Sequence, residues 1–318
     1  MHVDLLDRDM VDSDIGVVNA ARCSFDRQSQ WIKDHTQQSN CPYKNEDCTD
    51  ETHFTDVLSN ADAKLINYLA QHKHWTPFAH CQEVFEIGIA ITELLRFFTH
   101  ANLSGFEWLR NTTYENIYMR GSLYAWCTNL QHLPLDVAMD IGYQLQERYP
   151  VSSKCLQPHW ATNRYSPQGI CRVLGHTNPT EPELQSFTLR IHCPIFVKRQ
   201  LETHRRNFVM TDIEDFAQNE VSRRYVDKEP EIWYPKEWRL QSNDKKQGSS
   251  EDCLVNINKM LADSNYFHAV HMAKSTYERM NDDNVAHELS RACLPLATYT
   301  TFWWTGSLKS WNRMFNLR

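Results

Sequence analysis

The stretch CPIFVKRQLETHRRN, Cys193–Asn207, has the densest cluster of candidate functional side chains in the sequence, and it indicates the fold most strongly. Pro194 suits the first turn of a helix, where its missing N–H donor costs nothing. On that helix Phe196, Gln200 and His204 share one face, because they are spaced four residues apart. Five basic residues fall within nine positions: Lys198, Arg199, His204, Arg205 and Arg206. The stretch predicts a helix rich in positive charge.

A second basic motif follows along the chain, NEVSRRY at Asn219–Tyr225. Arginine guanidinium groups and a serine hydroxyl hold phosphates through charge-assisted hydrogen bonds. Ser222, Arg223 and Arg224 are therefore candidate ligands for a small anion. From these residues alone, a charged helix followed by a surface loop is an equally open interpretation.

Three histidines lie close together in HKHWTPFAH, His72–His80. The number invites a zinc interpretation, but Pro77 breaks the helix that a pair of histidine ligands needs, and no carboxylate or Cys lies at a usual ligand spacing. We predict no metal site here.

The C-terminal stretch WWTGSLKSWNRMFNLR, Trp303–Arg318, has the pattern of a capped helix. Thr305 or Ser307 is suited to the N-cap, and Leu308, Trp311 and Phe315 are predicted to face the core. Lys309 and Arg313 then share the opposite face. Its GSLKSW repeats GSLYAW of Gly121–Trp126, which we attribute to chance or to a shared way of starting a helix rather than to duplication.

Composition excludes several classes of function. The chain has 318 residues, with 33 Lys+Arg against 40 Asp+Glu, and this net charge of −7 disfavours a nucleic-acid coat. No apolar run reaches the roughly 18 residues that a membrane helix needs, and the acidic start does not resemble a secretory signal. The 10 Cys include no CxxC pair. We expect a soluble, cytoplasmic protein with reduced thiols.

Hydrophobic periodicity predicts an α+β fold in which helix dominates. Helical spacing covers Ala61–His72, Leu254–Met280 and Val285–Leu294, and β-like runs cover Glu83–Ile91 and Phe187–His192. Two polar stretches are predicted to be loops, Gln28–Asp56 and Gln241–Asp252.

Taken in order, these motifs resemble the flavin-dependent thymidylate synthases. The blocks that carry the resemblance are VDLLD (Val3–Asp7), NAARCSFD (Asn19–Asp26), HxHxTPFxH (His72–His80), CPIFVKRQ (Cys193–Gln200), THR with NEVSRRY, SRACLP (Ser290–Pro295) and the C-terminal stretch. The corresponding family segments are of the type APIFVARQ, RHRxxSxNExSxRY, ARxVLP and TxFxWTxNxRSLxxFLxLR. The blocks cover roughly 150 residues, and their shared order is far more specific than any single motif.

The resemblance implies a helix-dominated α+β fold with a small antiparallel sheet, in a homotetramer whose active sites are built from several chains. It implies binding of FAD and methylation of dUMP at carbon 5 to give dTMP. Methylenetetrahydrofolate would supply the carbon and NADPH would reduce the flavin, without an enzyme nucleophile. No nucleic-acid or membrane partner is implied.

The resemblance also implies a set of site residues by matching position. Flavin contacts would be Ser24, His74, Thr76, Thr203, His204, Arg205, Asn219, Glu220, Ser307, Lys309 and Arg313. Nucleotide contacts would be Gln200, Glu220, Ser222, Arg223, Arg224, Arg291 and Arg318. Ser222, Arg224 and Arg291 would hold the phosphate. Arg318 would be catalytic, because a guanidinium at the uracil edge stabilises negative charge that develops on the ring.

Several positions depart from the family pattern. Four positions carry a different residue from the family motif: Thr203 in place of Arg, Ala217 in place of Ser, Ser307 in place of Asn, and Lys309 in place of Arg. Lys309 cannot form the bidentate hydrogen bonds that an Arg forms. About nine extra residues separate the two halves of the central motif. The family domain is expected over residues 1–87 and 187–318, with a mainly helical insertion at 88–186. The family also continues beyond the position matched by Arg318, which leaves two interpretations open: the sequence is truncated, or the insertion supplies the missing helix.

These departures keep two alternatives open. One is an enzyme of the same fold with altered chemistry, such as hydroxymethylation or the use of another pyrimidine nucleotide. The other is a non-catalytic nucleotide-binding subunit that has lost flavin.

Overall fold

The computed structural model describes residues 1–7, 10–35, 54–101, 106–110, 116–157, 171–173, 184–203, 217–226, 228–242 and 248–316. The chain forms two compact units. The larger unit comprises Val3–Ile191, His204–Glu220 and Phe302–Arg318, and the smaller unit comprises Met1–His2, His192–Thr203 and Val221–Thr301. The insertion expected at 88–186 lies, where it is described, within the larger unit, and its origin as an insertion stays a prediction.

The elements of the larger unit are β1 (His2–Leu5), α1 (Asp14–Arg22), β2 (Ile32–His35), β3 (Phe54–Val57), α2 (Asn60–Gln71), α3 (Thr76–Ala79), β4 (Gln82–Gly88), α4 (Ile91–His100), β5 (Phe106–Arg110), β6 (Asn116–Ser122), α5 (Leu123–Asn129), α6 (Leu135–Arg148), α7 (Ser152–Leu156), β7 (Cys171–Val173), β8 (Ser186–Pro194) and β9 (Ala217–Glu220). Those of the smaller unit are α8 (Ile195–Glu202), β10 (Arg239–Gln241), β11 (Ser249–Cys253), α9 (Asn256–Asp282) and α10 (His287–Ser290). Strand β12 (Tyr299–Ser307) and helix α11 (Leu308–Asn316) end the described chain, and the chain passes between the units inside β8 and β12.

The sheets are small. One has the strand order β1-β8-β12-β9 and a second the order β5-β6-β4-β7, and two-stranded ribbons join β2 to β3 and β10 to β11. In the second sheet β4 pairs antiparallel with both β6 and β7, so that Phe85 lies opposite Met119 on one side and Val173 on the other. The predicted class, helix-dominated α+β with small antiparallel sheets, is confirmed.

The core of the larger unit is built around aromatic rings from the second sheet. Phe85 and Phe106 meet the ring of Trp126 edge to face, with centroids 5.0 and 4.7 Å apart. Gly121 is required here, because a Cβ at this position would lie 2.5 Å from the Phe106 ring. Ser122 then caps α5 by accepting a hydrogen bond from the backbone N of Ala125 at 3.1 Å.

The repeated motif GSLKSW forms the same strand-to-helix junction at the end of β12. Ser307 accepts a hydrogen bond from the backbone N of Ser310 at 3.1 Å and so caps α11. The predicted cap at Ser307 is confirmed, and the structure supports a shared way of starting a helix as the meaning of the echo.

The predicted orientation of α11 is partly wrong. Trp311 is buried against Trp304, but Leu308 and Phe315 are 37% and 64% exposed. The buried positions are Ser310, Trp311 and Met314. The cap at Ser307 sets the phase of the helix, and this phase turns Leu308 outward.

The two stretches predicted as loops contain strands. Ile32–His35 pairs with Phe54–Val57 in register, and Arg239–Gln241 pairs with Ser249–Cys253. The connecting residues 36–53 and 243–247 lie outside the described part of the chain. These short ribbons carry no regular apolar period, so periodicity does not reveal them. A cross-strand ion pair of 2.8 Å joins Lys33 to Asp56.

Several of the predicted helices and strands are confirmed. Asn60–Gln71 and Asn256–Asp282 are helical, and Gln82–Gly88 and Ser186–Pro194 are strands, as predicted. The helix predicted over Val285–Leu294 is reduced to α10 and a 3-10 turn at Arg291–Cys293. No helix among the described residues is long and apolar enough to span a bilayer.

Candidate functional site

A fully buried histidine, His80, ties together the polar centre of the larger unit. Its Nδ1 lies 2.7 Å from Oγ1 of Thr305 on β12, and its Nε2 lies 3.2 Å from Oδ1 of Asn219 on β9. The Thr305 hydroxyl is in turn 2.6 Å from that of Thr188 on β8. One line of hydrogen bonds therefore connects four segments that are far apart in sequence.

The protonation state of His80 follows from its surroundings. Burial lowers the pKa of His80 to about 4, and the hydrogen bond to Asn219 opposes this only in part. The ring is therefore neutral near pH 7. An amide oxygen can only accept, so Nε2 carries the proton and donates it to Asn219, while Nδ1 accepts from Thr305.

This hydrogen bond also orients the amide of Asn219. With Oδ1 turned to His80, the NH2 group of Asn219 points away from the imidazole and keeps its donors for another partner. Asn219 is one of the flavin contacts implied by the sequence resemblance.

The 3-10 turn Cys23–Phe25 contacts the same strand. Sγ of Cys23 donates to the backbone oxygen of Asn219 at 3.3 Å. Burial raises the pKa of Cys23 to about 12, so this group is a neutral thiol at physiological pH. Half-buried Ser24 follows in the same turn. The structure thus brings Ser24, Asn219 and Glu220 into one region of the larger unit.

At the start of α11, Ser307 is fully buried and its hydroxyl is already engaged. Besides capping α11, it donates to Oε1 of Glu107 on β5 at 3.0 Å. The other oxygen of Glu107 lies 3.4 Å from the guanidinium of buried Arg120. Ser307 therefore joins α11 to the β5–β6 pair.

Further along α11, Lys309 is exposed and Arg313 is half-buried. The two cations are four residues apart, so they lie on one face of the helix as predicted. Such a pair can offer positive charge to an anion.

The histidine-rich motif divides at the short helix α3. His72 and His74 are exposed and lie against the ring of Tyr68, whereas His80 is buried in the hydrogen-bond line. Thr76 is the half-buried first residue of α3. Within the described ranges, no group of His, Cys, Asp or Glu could hold a metal ion.

The smaller unit holds the candidate nucleotide ligands. Gln200 is exposed on α8, and the hydroxyl of Thr203 donates to its backbone oxygen at 2.7 Å. Thr203 therefore closes the helix at the position where the family motif has an Arg.

The NEVSRRY motif forms a tight turn just after β9. The Ser222 hydroxyl accepts from the backbone N and from Nε of Arg224, at 3.3 and 3.4 Å. The Arg224 guanidinium lies 5.0 Å from the centroid of the Tyr225 ring, and Arg223 donates to the backbone oxygen of Lys228. Arg291 is exposed in the 3-10 turn that follows α10. All of these cations belong to the smaller unit.

The candidate residues thus fall into two groups. The larger unit contains Ser24, His74, Thr76, Asn219, Glu220, Ser307, Lys309 and Arg313, and the smaller unit contains Gln200, Thr203, Ser222, Arg223, Arg224 and Arg291. His204, Arg205 and Arg318 lie outside the described residues. The ligand assignments themselves stay predictions.

Sequence reasoning missed the residues that hold Asn219 in place. His80, Thr305 and Thr188 are uncharged and buried, so they look like ordinary core polar residues. The sequence contained one sign of this arrangement, the third histidine of HKHWTPFAH. His80 directly follows the four-residue helix α3, which is too short to hold two histidine metal ligands.

With this geometry in place, the comparisons with known proteins identify the family. The model of the thymidylate synthase complementing proteins (Thy1) matches residues 5–105 and 141–318, so the chain belongs to this family. The resemblance to flavin-dependent thymidylate synthases is thereby confirmed.

Individual relatives are distant. The chain is 24% identical over 297 residues to the flavin-dependent thymidylate synthase of Aquifex aeolicus, covering 82% of each chain. It is 32% identical over 145 residues to that of Treponema denticola and 33% over 144 residues to that of Pseudothermotoga lettingae. These two matches cover 45% of this chain and 50% and 56% of the relatives.

Among solved structures, a crystal structure of the UMP/dUMP methylase PolB from Streptomyces cacaoi, bound with 5-Br UMP, is similar at 15% identity and a TM-score of 0.35. The match covers 97% of this chain and 72% of PolB.

Proposed function

We propose that the protein is an FAD-dependent methyltransferase that converts dUMP to dTMP, with methylenetetrahydrofolate as carbon donor and NADPH as reductant. Membership of the Thy1 family supports this proposal, and so does the similarity to several flavin-dependent thymidylate synthases. The structural observation that carries it is the fixed amide of Asn219, a motif residue held by buried His80 with its donors left available.

The residues of the larger unit fit a flavin dinucleotide in their chemistry. Asn219 and Ser24 offer neutral donors to a polar ring edge, and Lys309 and Arg313 offer positive charge to a pyrophosphate. Bound flavin supplies the hydride that reduces the transferred carbon. The protein's part is to bind and orient.

The smaller unit fits a nucleoside monophosphate. Ser222, Arg223, Arg224 and Arg291 offer a hydroxyl and three guanidinium groups, the usual partners of a phosphate. Gln200 and Glu220 would contact the nucleoside. These roles rest on the sequence resemblance and on the exposure of Gln200, Arg224 and Arg291.

Four buried cysteines among the described residues are unsuited to act as nucleophiles. Burial raises the pKa of Cys23 and Cys171 to about 12 and also raises the pKa of Cys81 and Cys127. Such thiols carry almost no thiolate at neutral pH, and the thiolate is the nucleophilic form. In the proposed reaction, activation of the uracil ring falls to electrostatics, for which Arg318 is the candidate.

The quaternary and domain organisation are part of the same proposal. We infer a homotetramer, and a mainly helical insertion at 88–186 in an otherwise family-like domain. The family model matches residues 5–105 and 141–318 and leaves 106–140 unmatched, which supports extra sequence in the middle of the inferred segment but not over its whole length.

The visible absorption spectrum tests the cofactor assignment. Protein incubated with FAD and then desalted should keep a flavin spectrum, and added dUMP should shift it because the proposed reaction requires the nucleotide to bind next to the flavin. A colourless protein that still binds dUMP would instead favour a nucleotide-binding subunit that has lost flavin.

A further inference from the structure

We propose that His80 is a positioning residue for flavin binding and acts through Asn219. The proposal rests on the proposed function, since it takes Asn219 as a flavin ligand. It concerns a residue that never needs to touch the cofactor.

The geometry gives each ring nitrogen of His80 one partner. Nε2 donates to Oδ1 of Asn219 at 3.2 Å, and Nδ1 accepts from Thr305 at 2.7 Å. Thr305 can accept a hydrogen bond from Thr188 in turn. Each residue of the chain then donates to the next one, from Thr188 through Thr305 and His80 to Asn219. The ring is fully buried and is therefore shielded from competition by water.

The strand that bears Asn219 is fixed independently at its backbone. Asn219 lies opposite Trp303 in the β12–β9 register, and its carbonyl accepts from Cys23 at 3.3 Å. Backbone position is therefore set by the sheet and by Cys23, while the orientation of the side-chain amide is set by His80. Without His80, the amide of Asn219 can turn over and present its oxygen where a donor is needed.

Two substitutions separate the two nitrogens of the ring. In His80→Gln the amide nitrogen occupies the place of Nε2 and still reaches Asn219. In His80→Asn the polar atoms lie near the place of Nδ1, so they reach Thr305 but not Asn219. If His80 only stabilises the fold, both changes should weaken FAD binding. If His80 positions Asn219, mainly His80→Asn should weaken it.

The experiment is titration of the full-length chain with FAD, read by quenching of flavin fluorescence. We expect the Kd to rise about fivefold in His80→Asn, as for the loss of one neutral hydrogen bond, and less than twofold in His80→Gln. In an Asn219→Ala background, His80→Asn should have no further effect, because its target is gone. Thr305→Val, which removes the partner of Nδ1 at constant size, should give a smaller rise.

The outcomes distinguish this proposal from the proposed function. If Asn219→Ala leaves the Kd unchanged, the role of Asn219 as a flavin ligand is wrong. If Asn219→Ala weakens binding but the effect of His80→Asn adds to it in full, the positioning role of His80 is overturned while the flavin site stands. Equal losses in His80→Gln and His80→Asn also overturn it. Should a His80 variant not fold, a rise of the Kd in Thr305→Val that persists in full in the Asn219→Ala background overturns it as well.

Discussion

The neutral state of buried His80 predicts a specific dependence of stability on pH. Its pKa is about 4 in the folded chain, against 6.5 for an exposed histidine. Between these values the unfolded chain binds a proton at this position and the folded chain does not. The stability that His80 contributes is therefore fully present above pH 6.5 and is lost as the pH falls toward 4.

The magnitude follows from the difference between the two pKa values. At 1.36 kcal/mol for each unit of pKa, the free energy of unfolding should fall by roughly 3 kcal/mol between pH 7 and pH 4. This is a large part of the roughly 5–15 kcal/mol that stabilises a typical domain. Other groups titrate in the same range, so the effect is isolated by comparison with His80→Gln, which cannot titrate.

The assay is urea unfolding followed by tryptophan fluorescence at several pH values. The difference in unfolding free energy between the wild type and His80→Gln should decrease as the pH falls, by the amount given above. His100→Gln is the matched control, because His100 is exposed at the end of α4, and this variant should follow the wild type. A difference between wild type and His80→Gln that stays constant from pH 7 to pH 4 would refute the buried, neutral assignment.

Three further predictions concern other parts of the site. In calorimetric titration, Arg224→Ala should weaken dUMP binding by about 1.5–3 kcal/mol, the range for a charged hydrogen bond. The control Arg96→Ala, which removes an exposed arginine of α4, should leave the affinity unchanged. Unchanged affinity in Arg224→Ala would contradict the placement of the phosphate. Arg318→Ala should lower kcat more than it raises the Kd for dUMP, because it stabilises charge that develops during the reaction, and equal losses would make it a simple anchor. Ser307→Ala should lower the free energy of unfolding by about 1–2 kcal/mol through loss of the α11 cap. Ser249→Ala, at an exposed strand position, should leave this free energy unchanged. Equal effects of the two substitutions would contradict the capping role of Ser307.

Local patterns predicted much of the secondary structure. Helix α2 was predicted because it buries Ile66 and Leu69 on one face, which leaves a helical period in the sequence. Strand β4 was predicted from the short β-like run at Glu83–Ile91. The ribbon of β2 and β3 was missed because its two short strands, IKDH and FTDV, carry no regular apolar period. At α11 the cap was predicted correctly, but Leu308 was assigned to the core because its pattern does not reveal where the first turn begins.

The candidate site was predictable only in part. Motif order pointed to Asn219 and to the cations of the NEVSRRY motif, since these residues are close in sequence. The contacts of His80 lie 139 and 225 residues away in the chain, at Asn219 and Thr305. No spacing rule reaches that far, and the folded sheet is needed to bring these side chains together.

The central claim is that this chain methylates dUMP with a reduced flavin. The most direct measurement is mass spectrometry of the nucleotide after incubation of the purified protein with FAD, NADPH, methylenetetrahydrofolate and dUMP. The account predicts a product heavier than dUMP by one CH2 group, formed only when all four compounds are present. A product carrying a hydroxymethyl group, or unchanged dUMP in the presence of a protein that binds both FAD and the nucleotide, would contradict it.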